Sequence, residues 1–111
     1  MDKKFETIFL EEAAEFIKSQ DVKTQEKIFY VLDKSKYVND PKFFKKLKGE
    51  IWEFRIKYRG LQLRLFAFWD KRDNKNTLVV STHGKIKKTD KVLKSEIEKA
   101  EAIRMKYLKN L

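Results

Sequence analysis

From Trp52 to Tyr58 the chain alternates strictly. Trp52, Phe54, Ile56 and Tyr58 take the even positions, and Glu53, Arg55 and Lys57 lie between them. A period of two is the pattern of a strand with one buried face. The stretch LQLRLFAFW, from Leu61 to Trp69, repeats the alternation with Leu61, Leu63, Leu65, Ala67 and Trp69. Arg59 and Gly60 between the two runs are the length of a tight hairpin turn. Such a turn sets the register. Tyr58 meets Leu61, Ile56 meets Leu63 and Phe54 meets Leu65 on an apolar face that helices must cover. On the other face Lys57 meets Gln62 and Arg55 meets Arg64.

The flanking segments complete an order of β-α-α-β-β-β-α. FETIFL (Phe5–Leu10) is short and β-prone. EEAAEFIKSQ then changes to helical spacing, with Ala13, Phe16, Ile17 and Gln20 on one stripe. Asp21 is placed to cap a second helix whose stripe is Ile28, Val31 and Leu32. Asn39–Pro41 breaks it, and PKFFKKLKG reads as a short helical turn or loop. A third strand covers Thr77–Thr82. A C-terminal helix carries Leu93, Ile97, Ala100, Ile103 and Tyr107 on one stripe, with Asp90 as its cap. The fold class expected is α+β: a small, antiparallel-dominated sheet, an N-terminal helical hairpin and a C-terminal helix, with the helices on one face. At 111 residues the chain is read as one domain, 1–111.

Charge changes the picture more than composition does. Twenty-seven Lys and Arg against 17 Asp and Glu give a net charge of +10, which attracts polyanions. There is no cysteine, so disulfides, thiolate nucleophiles and zinc–cysteine sites are excluded. With one histidine and no clustered acidic motif, no metal and no cofactor are expected. The N-terminus has no signal-peptide core and no apolar run approaches a membrane span. The reading is a cytoplasmic protein with no membrane partner.

Arginines directly opposite one another repel and destabilise a strand pair. Arg55 and Arg64 therefore point to an anionic ligand, and Lys57 and Arg59 extend the same positive surface. The plain alternative is a solvated face whose charges interact with Glu53. Because Arg64 lies on this polar face, its truncation is expected to leave no core cavity. Phe66 and Phe68 continue the face, either buried under the C-terminal segment or offered as stacking platforms for bases. After the third strand, Gly84 permits a tight turn or an unusual backbone angle. Lys85, Lys87 and Lys88 follow on an exposed basic loop. An antiparallel return brings Thr82 and His83 level with Arg64, making His83 a candidate acid or base.

KLKGEIWEFRI, LRLFAFW and STHGKIKKTDK resemble the RelE/ParE superfamily of toxins, nearest its phage Gp49-like, HigB-type branch. The chain departs from that branch at Ile86, near which Phe is usual, and at Leu93, where Pro is common. The resemblance implies a bacterial type II toxin that cleaves messenger RNA on the ribosome. It also implies a cognate antitoxin, a helix-turn-helix protein. Arg55 and Arg64 match the strand arginines of the RelE-like pattern, and Lys85, Lys87 and Lys88 match its basic loop.

RNA carries its own nucleophile, the 2′-hydroxyl. The enzyme must orient it, stabilise the phosphorane and protonate the leaving 5′-oxygen. Preorganised cations perform the second task without a metal. The roles expected are therefore catalytic for Arg64, Arg55 and His83, and RNA-binding for Lys57, Arg59, Lys85, Lys87 and Lys88. Two other functions remain open: a ParE-like inhibitor that binds DNA gyrase, and an RNA-binding module without catalysis.

Overall fold

The computed structural model describes residues 2–73, 77–87 and 94–110. Eight elements follow in order: β1 (Glu6–Phe9), α1 (Glu11–Lys18), α2 (Val22–Tyr37), β2 (Phe44–Lys48), β3 (Ile51–Tyr58), β4 (Leu61–Asp70), β5 (Leu78–Ile86) and α3 (Lys94–Lys109). The five strands form one sheet in the order β1-β5-β4-β3-β2. Every pairing is antiparallel except β1 with β5.

The central hairpin has the register that its alternation dictates, with Tyr58 opposite Leu61, Phe54 opposite Leu65 and Arg55 opposite Arg64. The turn residues have φ of 51° at Arg59 and 77° at Gly60. Two successive positive φ values make the mirror-image turn whose twist suits a tight hairpin. Asp21 caps α2 as expected, its Oδ1 accepting from the Thr24 amide at 2.8 Å.

Helices cover both faces of the sheet, not one. α1 and α2 bury Ala13, Ile17, Ile28, Val31 and Leu32 against Phe54, Ile56, Leu63 and Leu65. On the opposite face α3 lays Ala100, Ile97 and Tyr107 over Ile51, Phe66, Phe68 and Val80. Phe66 and Phe68 are thus core residues with no exposed ring surface, which removes them as stacking platforms. Leu93, Asp90 and Lys88 lie outside the described residues.

Two further differences come from strand irregularities. PKFFKKLKG contributes an edge strand instead of a helical turn, and its register slips between Lys46 and Lys48. The slip leaves Phe44 in the first core and Leu47 packed on the second, so no period of two shows in the sequence. β5 extends to Ile86, which puts Gly84 and Lys85 in a strand instead of a loop. Gly84 has no positive φ. Its small size matters because a Cβ there would overlap the Phe16 ring of α1.

A candidate nucleic-acid interface

α3 covers only the apolar half of its sheet face. The other half carries Arg55 and Lys57 from β3, Gln62 and Arg64 from β4, and Lys85 from β5. Arg64 is central, with Arg55 opposite on one side and Lys85 opposite on the other. Three cations in a row across adjacent strands would repel strongly. Glu53 offsets this: its two carboxylate oxygens lie 3.5 Å from Arg55 Nε and 3.3 Å from Arg64 Nε. Burial pushes the Glu53 carboxyl up, and the opposing pull of Arg64, Arg55, Lys87 and Lys45 leaves it above its ordinary value.

Exposure ranks the candidates. The Arg64 side chain is 8% exposed and that of Glu53 3%, against 33% for Arg55 and 49% for Lys85. Arg64 is thus a buried cation whose truncation would leave a space and a poorly paired carboxylate, contrary to its reading as a surface group. Lys57 and Arg59 are exposed near the hairpin tip, and Lys87 is half-buried, its amide bonded to the Gln62 carbonyl at 2.6 Å.

A bulge decides where His83 goes. Phe66 pairs with His83 but the next residue, Ala67, pairs with Ser81, leaving Thr82 as an extra residue. The extra residue turns His83 toward α3, and Lys85 instead of His83 comes level with Arg64. The imidazole stacks on Phe66 with centroids 4.8 Å apart and is 3% exposed. Its Nε2 lies 3.0 Å from Glu96 Oε1, and its Nδ1 lies 3.0 Å from Thr82 Oγ1. Burial lowers the His83 pKa, against the opposing pull of Glu96. A neutral ring beside the Glu96 carboxylate donates from Nε2, which leaves Nδ1 as an acceptor next to the Thr82 hydroxyl; that hydroxyl also lies 3.3 Å from the Phe66 carbonyl, to which it can donate instead. Both nitrogens are engaged inside the protein.

Glu96, in the first turn of α3, is the site residue that sequence reasoning missed. Its second oxygen lies 2.7 Å from Lys85 Nζ. Burial raises the Glu96 pKa, but hydrogen bonds from Lys85 and His83 outweigh it and the net shift is downward. Nothing in the local pattern around Glu96 marks it, because its importance comes from where α3 docks.

The family model described as Phage derived protein Gp49-like (DUF891) matches residues 15–106. The chain belongs to this Gp49-like family. That span contains Arg55, Arg64, His83, Lys85 and Glu96, so the whole cationic site lies within the family's domain. The Gp49-like family is a toxin-like group, in keeping with the α+β fold and the basic face. No curated protein shows significant similarity to the chain. Among the described residues no helix is long and apolar enough to cross a membrane.

Proposed function

We propose that this Gp49-like chain, acting as one domain, is a RelE-type toxin of the HigB branch that cleaves messenger RNA at the ribosome. The row Arg55–Arg64–Lys85, on the half of the sheet face beyond α3, carries this reading. Its three positive charges are concentrated on a rigid sheet and held by Glu53 and Glu96, whose carboxylates lie below or beside them. A scissile phosphate over Arg55 and Lys85 would meet preorganised charge where the phosphorane develops its own. Lys57, Arg59 and Lys87 extend the surface along which the strand's phosphates would run, and Lys88, outside the described residues, is proposed as a further RNA-binding cation.

In this mechanism the substrate's 2′-hydroxyl gives its proton to water as it attacks the adjacent phosphorus, the P–O5′ bond breaks, and a 2′,3′-cyclic phosphate is left. Arg55 faces the phosphate directly, and Arg64 acts from beneath through its charge. Lys85, exposed and oriented by Glu96, is the group placed to give a proton to the departing 5′-oxygen. His83 holds Glu96 and so acts as a positioning residue. A cognate antitoxin, acidic or amphipathic where it meets this face, would neutralise it; a helix-turn-helix protein is the expected class.

Expression of the chain in bacteria, followed by mapping of new 5′ ends in messenger RNA, tests the proposal. Growth arrest with ribosome-dependent cleavage is expected. Arrest without cleavage, accompanied by DNA damage, would favour gyrase as the target. Binding of RNA without cleavage or arrest would leave a non-catalytic module.

A further inference from the structure

The two tryptophans of the chain sit together, and not at the cationic row. Trp52 and Trp69 meet edge to face with centroids 5.6 Å apart, on the opposite side of the sheet from Arg55 and Arg64. They line a cleft of about 600 Å³ with Lys4, Lys46, Lys71, Asn39 and Glu50. That volume lies within the ordinary range for ligand sites, about 300–1,000 Å³.

Two features set this cleft apart from a solvated surface. First, Phe54, Phe44 and Trp52 form a near-parallel row, with centroids 4.2 and 4.8 Å apart and interplanar angles of 17° and 30°. Trp52 is the ring of that row that borders the cleft, so one more flat ring would extend the stack. Second, three lysines and one carboxylate give the lining a net positive charge, and Lys71 Nζ already sits 5.1 Å from the Trp69 ring centroid.

We propose that this cleft is a second nucleic-acid site, which takes one unpaired base against Trp52 with its flanking phosphates on Lys46, Lys71 and Lys4. Aromatic stacking combined with cations along the backbone is the general way single strands are held without sequence readout. An acidic peptide would satisfy the lysines but would leave the indole faces unused. The site goes beyond the cleavage proposal, because it lies across the sheet from Arg55 and Lys85 and would serve to hold RNA outside the reacting phosphate.

The tryptophans are themselves the probes. Their fluorescence is to be titrated with a single-stranded RNA hexamer, with adenosine monophosphate and with an acidic hexapeptide. Saturable quenching by the hexamer is expected. Lys46→Ala and Lys71→Ala should each weaken it and lower the slope of log affinity against log salt by about 0.7. Trp52→Leu, with Trp69 as the remaining reporter, should weaken binding about tenfold or more. Arg55→Ala should leave the quenching unchanged whether or not it abolishes cleavage, which separates the two proposals. Quenching by adenosine monophosphate as well would identify a single nucleotide as sufficient, and quenching by the hexamer alone a strand. Absence of saturable quenching by either, indifference to the lysine variants, or a response to the peptide only would overturn the site.

Discussion

Arg64 Nε lies 3.3 Å from Glu53 Oε2 with both side chains almost sealed from solvent. Breaking a buried pair from one side leaves the other charge uncompensated, at a typical cost of about 3–5 kcal/mol. Arg55 still reaches Glu53 from 3.5 Å, so Arg64→Ala is expected to cost about 3 kcal/mol, the low end of that range. Adding Glu53→Gln should recover part of the loss. Urea denaturation of the single and double variants measures both, and an unchanged midpoint for Arg64→Ala would show that the pair contributes nothing.

Arg55 gives the cleaner test of chemistry. It is one-third exposed and its ion pair is long, so Arg55→Ala should change stability by less than about 1 kcal/mol. Loss of a preorganised donor at developing charge lowers rates by roughly 10²–10³. Cleavage of ribosome-bound messenger RNA, run beside a thermal melt, should show a folded and nearly inactive protein. Lys85→Ala should lower cleavage similarly, as expected of the group that gives a proton to the leaving oxygen.

Burial holds His83 below its ordinary pKa of 6.5. The unfolded chain therefore binds this proton more readily than the folded one. Stability should fall as pH drops from about 6.5 toward the folded pKa, and be level above that window. His83→Gln should flatten this part of the curve. Denaturation midpoints between pH 8 and pH 5 for both proteins decide it, with identical slopes as the contrary result.

Asp70 depends on pH in the same direction, in a lower window. The hydrogen bonds from the Arg72 side chain, at 2.8 and 2.9 Å, hold its pKa at about 2, below the ordinary 3.8, and Tyr107 of α3 adds a bond at 3.1 Å. A lowered carboxyl stabilises the fold above pH 3.8, and the gain is lost as pH falls from there through 2. The shift corresponds to roughly 2 kcal/mol. Asp70→Asn should therefore narrow its stability gap to the parent protein between pH 4 and pH 2, read from acid-unfolding curves.

A side chain at Gly84 has nowhere to go while Phe16 stays in place. Gly84→Ala is expected to cost about 1–3 kcal/mol, in the range of overpacked cores. The two changes are coupled, so Phe16→Ala combined with Gly84→Ala should cost less than the sum of the single losses. Strict additivity in denaturation midpoints would remove the steric account.

The central hairpin was legible in the sequence. Alternation from Trp52 to Trp69 assigns the faces, and a two-residue turn leaves one register, so the Arg55–Arg64 pairing follows from local chemistry alone. The helices were legible for the same reason: their apolar stripes and the Asp21 cap are near-neighbour patterns. What the sequence did not disclose depends on breaks in periodicity and on docking. One extra residue at Thr82 reverses which face His83 occupies, and a slip in β2 hides a strand, because a period-two pattern carries no mark where a bulge will fall. The second helical layer, the burial of Arg64 over Glu53 and the reach of Glu96 to His83 and Lys85 arise when α3 settles across the sheet. Those contacts join residues distant in the chain, and the free energy of burying Phe66 and Phe68 under α3 is a property of the assembled surfaces, which no local window of sequence contains.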